Sequence, residues 1–288
     1  MSKRNLQNLI VVVLIIAGVA SLNSWQRGRR AESLAGDLTQ ADDYQAYKSM
    51  KKLAALGPGA MSKVVPFLTN EKGYVRARAA MLIATTGARR FALPVQTLLS
   101  DPDAQPRMAA AVAAGRLGDQ AAAERLAQLV GAPAEPMEVR IAAAHSLAEL
   151  AAPGALPALT AAVALPPTEE NAPLRRAAML ALGSLSEAEA VTEGAAHLTE
   201  SQEPDAGVRL QAARNLAQAD LAGPDAIAVA GQALMGALAD KDSEVRIAAA
   251  HSLTQMRFSG ELNTQVAEAL KGAEDDPHYW VREAAAGQ

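Results

Sequence analysis

The sequence contains no cysteine, and aromatic residues make up only 3% of it. Without cysteine, the chain cannot form a disulfide framework, a thiol nucleophile, or a zinc or iron–sulfur site with cysteine ligands. β-Sandwiches and barrels favour aromatic and β-branched residues, whereas about a quarter of this chain is alanine, the strongest helix former. The composition therefore predicts an all-α protein.

A surplus of basic residues is also missing. The 288 residues include 27 Lys and Arg against 31 Asp and Glu, which gives a formal net charge of −4. Residues 1–30 contain five basic residues and no acidic one, so residues 31–288 carry about −9. Nucleic-acid-binding proteins need a basic surface that displaces counterions from phosphates, so we expect no nucleic acid partner.

Residues 1–30 differ in character from the rest of the chain. An apolar stretch over 9–22 has basic residues on both sides. A helix over residues 6–25 has about the 20 residues needed to cross a bilayer and would place Trp25 at interfacial depth. This pattern predicts one N-terminal transmembrane helix that anchors the chain in a membrane. The alternative is a signal peptide that is cleaved after the small residues Gly18-Val19-Ala20.

The orientation of this predicted anchor is only weakly specified. Positive charges flank the apolar stretch in nearly equal number, and the positive-inside rule depends on their difference. We expect a single-pass protein of the bacterial inner membrane, with the N-terminus in the cytoplasm and the body of the chain outside it. A cytoplasmic body is the open alternative.

A ten-residue string occurs twice in the chain. Residues 138–147 and residues 244–253 both read Glu-Val-Arg-Ile-Ala-Ala-Ala-His-Ser-Leu. Chance identity over ten positions is not credible, even in an alanine-rich chain. The offset of 106 residues corresponds to three periods of about 35 residues, which is typical of solenoid repeats.

Weaker copies of this string occur along the chain. They share an apolar residue or proline followed by Arg, and they occur at Val75-Arg76, Pro106-Arg107, Val139-Arg140, Leu174-Arg175, Val208-Arg209, Val245-Arg246 and Val281-Arg282. Val139, Ala143, Leu147 and Leu150 would share one face of a helix. A further apolar stretch precedes each copy, and most prolines lie between the periodic segments. The sequence predicts about eight helix–turn–helix repeats, stacked as an α-solenoid over residues 31–288.

Acidic residues stand four to six positions before most of these arginines. The pairs are Glu71/Arg76, Asp103/Arg107, Glu135/Arg140, Glu170/Arg175, Asp205/Arg209 and Asp242/Arg246. An acid in that turn can cap the next helix, and the arginine can reach an acid or a carbonyl of the adjacent repeat. We interpret the arginines as a structural ladder rather than as a row of ligand-binding residues.

The repeat resembles HEAT repeats and is most similar to the short bacterial type that also occurs in phycobilisome lyases. The resemblance is carried by Asp-Pro-Asp at 101–103 before Pro-Arg at 106–107, and by Val-Arg-Ile-Ala-Ala-Ala-His-Ser-Leu as the second helix. It covers about residues 31–288. It implies a right-handed, armadillo-like helical solenoid whose Val-Arg helices line the concave side. Because HEAT arrays serve many roles, the resemblance is specific for architecture and weak for function.

Motifs for catalysis or metal binding do not accompany the repeat. The four histidines form neither a His-Glu-x-x-His nor a His-x-His motif. A HEAT-type metal enzyme resembling deoxyhypusine hydroxylase would carry His-Glu pairs, but Ser146 and Ser252 follow His145 and His251 here. We therefore expect that the protein is not an enzyme and holds no metal or other cofactor.

Two sets of residues are candidates for binding a protein partner. Aromatic residues are absent between positions 92 and 257, and interfaces favour Tyr, Trp and Arg. The first set therefore consists of the aromatic residues near the ends of the predicted array, Tyr44, Tyr47, Tyr279 and Trp280. The second set comes from one register position of the second helices, a column along the predicted concave side that consists of Lys51, Met81, Val112, His145, Leu180, Arg214 and His251. From this column we single out Lys51, Met81, His145, Arg214 and His251 as candidates. The alternative is that the aromatic residues only plug the terminal repeats and that the second set packs against neighbouring helices.

Together these features favour a membrane-anchored HEAT-repeat scaffold. It would bind membrane-associated protein partners, as an accessory subunit of a membrane complex. One alternative is a chromophore chaperone or lyase similar to the bilin lyases, although the middle of the array lacks aromatic residues to stack on a tetrapyrrole. Two further alternatives are a secreted solenoid that binds a ligand after signal-peptide cleavage and a HEAT-like DNA-repair glycosylase, which the acidic body disfavours.

Overall fold

The protein is built from helices throughout its described residues. The computed structural model describes residues 3–185, 187–199 and 202–287, without the side chains of residues 3–16, 18–20, 153 and 221. Every regular element in this part of the chain is an α-helix or a 3₁₀ helix. The predicted all-α class is therefore confirmed.

The chain divides into two compact units, Met1–Leu117 and Gly118–Gln288. The first unit contains five α-helices, α1 to α5, which span Lys3–Gly36, Asp43–Ala55, Gly73–Thr85, Ala92–Gln96 and Ala104–Leu117. The second unit contains α6 to α15, which span Ala123–Gly131, Met137–Leu150, Leu156–Val163, Ala172–Leu182, Ala188–Ala196, Ala206–Leu216, Pro224–Ala237, Ser243–Gln255, Gly260–Ala273 and Tyr279–Ala285. The predicted domain boundary between residues 30 and 31 is not tested by this division and stays a prediction.

Helix–turn–helix repeats make up the second unit. The helices that begin with the apolar-Arg pair are α7, α9, α11, α13 and α15, and each contacts the next one of this set. In α7, Val139, Ala143 and Leu147 are fully buried, as their spacing along one helix face predicts. Alanines fill much of the rest of the core, which lets successive helices approach closely. The predicted repeat architecture is confirmed.

Two of the expected first helices in the first unit are irregular. Residues 58–69 form two 3₁₀ segments, Pro58–Lys63 and Val65–Thr69, and α4 continues into a 3₁₀ segment, Thr97–Ser100. Pro66 has no backbone N–H to donate and lies in the first turn of its segment, where none is needed. Val64 and Leu68 are still buried, so these segments cover the second helices as a regular helix would.

The prediction of a membrane span is corrected by the structure. Helix α1 continues well past the apolar stretch, through three arginines to Gly36, and Ala31 and Ala35 are buried against the first unit. Within the described part of the chain, no helix combines the length and the apolarity that crossing a bilayer requires. The predicted single-pass inner-membrane localisation is therefore wrong, and the predicted membrane contact through residues 6–25 is not supported. The apolar stretch over 9–22, which Gly18 and Ser21 interrupt, is shorter than the roughly 20 residues that a span needs.

Part of that prediction falls on side chains that are not described. These include most side chains of residues 6–25 and all three residues of the alternative cleavage site, Gly18-Val19-Ala20. The cleavage prediction therefore lies outside the described residues.

Arginines at the starts of the second helices bind the turn of the following repeat. Arg209 donates from Nε and Nη2 to the two carboxylate oxygens of Asp240, at 2.7 and 2.9 Å. It also donates from Nη1 to the carbonyl oxygen of Glu203 in its own turn, at 2.8 Å. The same two-oxygen contact joins Arg246 to Asp276, Arg175 to Glu203 and, in the first unit, Arg76 to Asp101. The predicted structural ladder is confirmed for these four arginines.

Each of these carboxylates also organises its own turn. Asp240 accepts the backbone N–H of Asp242 at 2.8 Å, and Asp276 accepts that of His278 at 2.7 Å. The hydrogen bond from Arg246 lowers the pKa of the Asp276 carboxyl below its ordinary value, and the same contact raises the pKa of Arg246. The carboxylate thus holds the turn and the preceding repeat together.

The acids singled out by sequence position mostly serve another purpose. Asp205 and Asp242 cap α11 and α13, accepting backbone N–H groups at 3.0 and 2.9 Å. In each case the acid that binds the arginine stands two residues earlier, as Glu203 and Asp240 do. In these two turns the sequence located the turn correctly but not the residue that binds the ladder arginine. Asp103 is different, because it accepts a hydrogen bond from Nη2 of Arg76 at 3.0 Å.

Candidate protein-binding surface

One register position of the second helices faces solvent in the second unit. His145, Leu180, Arg214 and His251 each lie five residues after the ladder arginine of their helix. The arginine must reach the next turn, and the residues three and four positions after it are buried alanines or a buried methionine. The fifth position therefore points away from the core, and all four side chains are exposed. Leu180 is a large apolar side chain that remains 38% exposed there.

A surface depression of about 820 Å³ lies over three of these helices. Its lining comes from α7, α9, α11 and the turns that follow α9 and α11, and it comprises His145, Ala148, Glu149, Leu180, Gly183, Ser184, Gln211, Arg214, Asn215 and Gln218. The depression is open, and its lining combines polar side chains with more apolar than polar surface, including the large apolar side chain of Leu180. Its shape and lining suit a protein segment better than an enclosed small molecule.

A second depression of about 470 Å³ adjoins the first. Arg214 lines both, and the remaining lining residues come from α11, its C-terminal end and α13: Ala217, Glu244, Ile247, Ala248, His251, Ser252 and Gln255. We call the two depressions together the α7–α13 groove. Arg214 is therefore the central cation of a continuous surface that crosses four consecutive second helices.

Hydrogen bonds fix the floor of the groove. Asn215 donates from Nδ2 to the carbonyl oxygen of Met179 at 2.5 Å, which ties α11 to α9. Ser252, which is buried, donates from Oγ to the carbonyl oxygen of Ala213 at 2.9 Å, which ties α13 to α11. Gly183 is needed at the edge, because a Cβ atom there would lie 2.1 Å from Asn215 Oδ1. A partner would thus meet a preformed surface rather than mobile side chains.

The charges along the groove follow a simple order. Arg214 lies at the centre, while Glu149 and Glu244 line the two depressions on either side of it. His251 accepts or donates a hydrogen bond through Nε2 with the side-chain amide of Gln255, 2.7 Å away. A segment with an acidic group opposite Arg214 and an apolar group opposite Leu180 would match this pattern.

Two of the five predicted register residues lie in the first unit. Lys51 is exposed on α2, whereas Met81 is half-buried on α3. The groove therefore brings together His145, Leu180, Arg214 and His251 of the column predicted from this register. Met81 illustrates the alternative expectation, in which the position packs against its neighbours.

The aromatic candidates are exposed in both units. Tyr44 and Tyr47 on α2 are 62% and 59% exposed, and Lys48 lies over the ring of Tyr44. In the second unit, Tyr279 and Trp280 at the start of α15 are 52% and 61% exposed and meet edge to face. These rings do not plug the ends of their units, although no groove residue contacts them among the side-chain contacts described.

Several groove residues were not predicted from the sequence. Gln211, Asn215 and Gln218 line the first depression together with Arg214. Their spacing of three and four residues along and just beyond α11 places them on one helix face, which is the signal that would have found them. In the same way, Glu149 stands four residues after His145 and lies on the same face of α7.

Comparison with known proteins agrees with this architecture. A family model described as HEAT repeats matches residues 61–137 and 195–287, more than half of the chain. Among solved structures, an engineered protein is similar with 21% identity and a TM-score of 0.57, over 89% of this chain and 77% of its own. The complex of CpcE and CpcF of phycocyanin lyase from Nostoc sp. PCC7120 is similar with 23% identity and a TM-score of 0.51, over 79% of this chain and 92% of its own.

These structural likenesses show the fold alone, because the identities are low. A search of curated proteins finds no match to this sequence. The matched repeats include the turns of Asp101, Glu203, Asp240 and Asp276, in which the arginine ladder lies. By its repeat sequence and by its helical architecture, the chain belongs to the HEAT-repeat family.

Proposed function

We propose that the protein is a non-catalytic HEAT-repeat scaffold that binds a protein partner in the α7–α13 groove. The observation that carries the proposal is the continuity of the groove across four consecutive second helices, with Arg214 shared by both depressions. HEAT repeats are generally platforms for protein interaction, and the CpcE and CpcF structure is itself a complex of two chains.

The groove chemistry indicates how the partner is held. Arg214 offers a planar set of donors to a carboxylate, and Leu180 offers exposed apolar area beside it. Amide side chains on the same face supply further donors and acceptors. The partner is therefore a protein segment that presents an acidic side chain next to an apolar one.

Site-specific photo-cross-linking in the source cells tests this proposal. A photoreactive amino acid is placed at His145 or His251 in the groove and, as a matched control, at Lys271 on α14, which is exposed but does not line the groove. We expect both groove positions to cross-link the same polypeptide and the Lys271 position not to do so.

Charge reversal provides the second half of the test. Arg214→Glu should reduce the yield of that cross-link about tenfold or more, because it removes the central cation and adds repulsion toward an acidic segment. Lys271→Glu makes the same reversal outside the groove and should leave the yield unchanged. Equal effects of the two variants, or cross-links of different polypeptides at His145 and His251, would contradict the proposal.

A further inference from the structure

Arg140 is a buried arginine of the ladder for which the described part of the chain supplies no carboxylate partner. Arg140 at the start of α7 is 8% exposed and donates from Nε to the carbonyl oxygen of Val130 at 2.9 Å. Among the described residues, no carboxylate lies within ion-pairing distance of it. Burial alone lowers the pKa of its guanidinium, in contrast to Arg76 and Arg246, whose acidic partners raise theirs.

The neighbouring repeat shows what this arrangement lacks. Arg175 donates from Nε to the carbonyl oxygen of Val163 at 2.8 Å, just as Arg140 does to Val130. Its Nη1 and Nη2 then bind the two carboxylate oxygens of Glu203, which is fully buried. Because the Nε contacts are equivalent, the Nη edge of Arg140 points toward the equivalent place, where no side-chain carboxylate is present.

The turn before α9, which by its position should supply that carboxylate, has a different pattern of backbone hydrogen bonds. In four other turns, those of Asp101, Glu203, Asp240 and Asp276, the acid six residues before the ladder arginine accepts a backbone N–H two residues later. Here that N–H belongs to Asn171, and it donates instead to the carbonyl and hydroxyl oxygens of Thr168, at 3.1 and 3.3 Å. Glu169, the residue in the acid position, is left exposed to solvent.

The Nη edge of Arg140 is accessible despite the burial of the residue. Within the described part of the chain, the side-chain nitrogen and oxygen atoms that are both buried and without a hydrogen-bond partner are Arg125 Nε and His278 Nδ1. The Nη atoms of Arg140 are not among them, and the hydrogen bond described for this side chain is donated by Nε, so the Nη atoms keep some contact with solvent. A buried guanidinium whose Nη groups reach solvent can donate two parallel hydrogen bonds to a planar anion such as a carboxylate.

We propose that the Nη edge of Arg140 is a binding site for a carboxylate supplied from outside the chain. The carboxylate takes the place that Glu203 holds on Arg175 and accepts two parallel hydrogen bonds. It comes either from an acidic side chain of a protein partner or from a small carboxylic acid. This site is independent of the α7–α13 groove, and its test does not need the partner proposed for that groove.

Titration of the full-length protein with acetate tests the site. The probe is the Nε–Hε resonance of Arg140 in ¹⁵N-labelled protein, assigned by its loss in Arg140→Lys. We expect acetate to shift this resonance saturably at constant ionic strength and chloride not to shift it. Arg175 serves as the internal control, because Glu203 already occupies its Nη edge, and its resonance should stay in place. An Arg140 resonance that does not respond to acetate, or that responds equally to chloride, overturns the proposal.

Two further arms separate the possible occupants. A blocked Ala-Glu-Ala peptide that binds at least tenfold more tightly than acetate supports a protein carboxylate, whereas equal affinity supports a small carboxylic acid. The double variant Glu169→Gln with Glu170→Gln tests the resident loop. If acetate shifts Arg140 only in this double variant, a carboxylate of the chain itself fills the site, and the proposal of an external ligand is overturned.

Discussion

We call each ladder arginine, together with the group it binds in the following turn, a rung. The rungs of Arg209 and Arg140 begin with the same local sequence pattern but differ in what the arginine binds. Arg209 is fully buried and held by both oxygens of Asp240. Arg140 is nearly as buried but binds only a carbonyl oxygen among the described residues. The difference arises in the following turn, where Thr168 takes the N–H that would otherwise hold the acid in place. The comparison teaches that a ladder rung depends on the backbone hydrogen bonding of a turn about thirty residues away.

Removing the acid from the complete rung should have the largest effect. Asp240→Asn removes the carboxylate charge that binds both Nε and Nη2 of the buried Arg209, and we expect the free energy of unfolding to fall by about 3–5 kcal/mol. Urea unfolding of the full chain, followed by circular dichroism, measures this change. Asp275→Asn removes an exposed acid in a neighbouring turn and should cost less than about 0.5 kcal/mol. Equal costs for the two variants would show that the rung does not stabilise the fold.

Lowering the pH should weaken all the rungs in which an arginine binds a carboxylate. The hydrogen bond from Arg246 lowers the pKa of Asp276. For Asp240 and Asp101 burial is the largest single influence and raises the pKa, but the arginine hydrogen bond, a backbone hydrogen bond and nearby positive charges together lower it below its ordinary value. Because these folded-state pKa values lie below the unfolded ones, the stabilisation is present above about pH 4 and is lost as the pH falls below it. We expect the melting temperature to drop between pH 5 and pH 3.

One variant isolates the contribution of a single rung to this acid response. Asp276→Asn removes a group whose pKa is lowered on folding, so its melting temperature should change less with pH than that of the wild type. Asp275→Asn, in the same turn, should follow the wild-type curve. Parallel curves for all three proteins would mean that the acid response has another origin.

Replacing the arginine should reduce stability by different amounts in the two rungs. Arg209→Met leaves the carboxylate of Asp240 buried and unpaired, so we expect a loss of several kcal/mol, as for Asp240→Asn. Arg140→Met removes a charge that has no carboxylate partner among the described residues and loses one hydrogen bond, so its stability should stay within about 1 kcal/mol of the wild type. Thermal unfolding of the two variants side by side measures this contrast, which a similar loss in both would refute.

The smallest effect is expected in the turn that leaves Arg140 unpaired. Glu169 and Glu170 are exposed, so Glu169→Gln with Glu170→Gln should change the free energy of unfolding by less than about 0.5 kcal/mol. Urea unfolding compares this double variant with the wild type. A loss above 1 kcal/mol would mean that one of these acids pairs with Arg140 in solution.

Much of the fold could be predicted from the sequence because the signals are local. The spacing of Val139, Ala143 and Leu147 marks the buried face of α7, and all three are fully buried. The acid before each apolar-Arg pair marks the turn, and Asp205 and Asp242 do cap helices there. The membrane span was the exception, because an apolar run alone does not decide whether the described helix can cross a bilayer.

The candidate site could be predicted only in part. His145, Arg214 and His251 were found because one register position recurs in every second helix, and all three line the groove. The amides of Gln211 and Asn215 were missed, since nothing in their residue type marks them as part of a surface. Met81 shares the register but is half-buried, because burial at that position depends on which helices pack beside it.

By itself, the sequence determined the helical class, the repeat period, the buried face of each second helix and the place of the ladder arginines. All of these depend on contacts within one helix or one turn, where spacing along the chain is enough. The tertiary structure alone decided which acid each arginine binds and that Arg140 has none in the described chain. Those pairs join residues 25 to 31 positions apart, and where the turn N–H donates to Thr168 instead of to an acid, no such pair is made among the described residues.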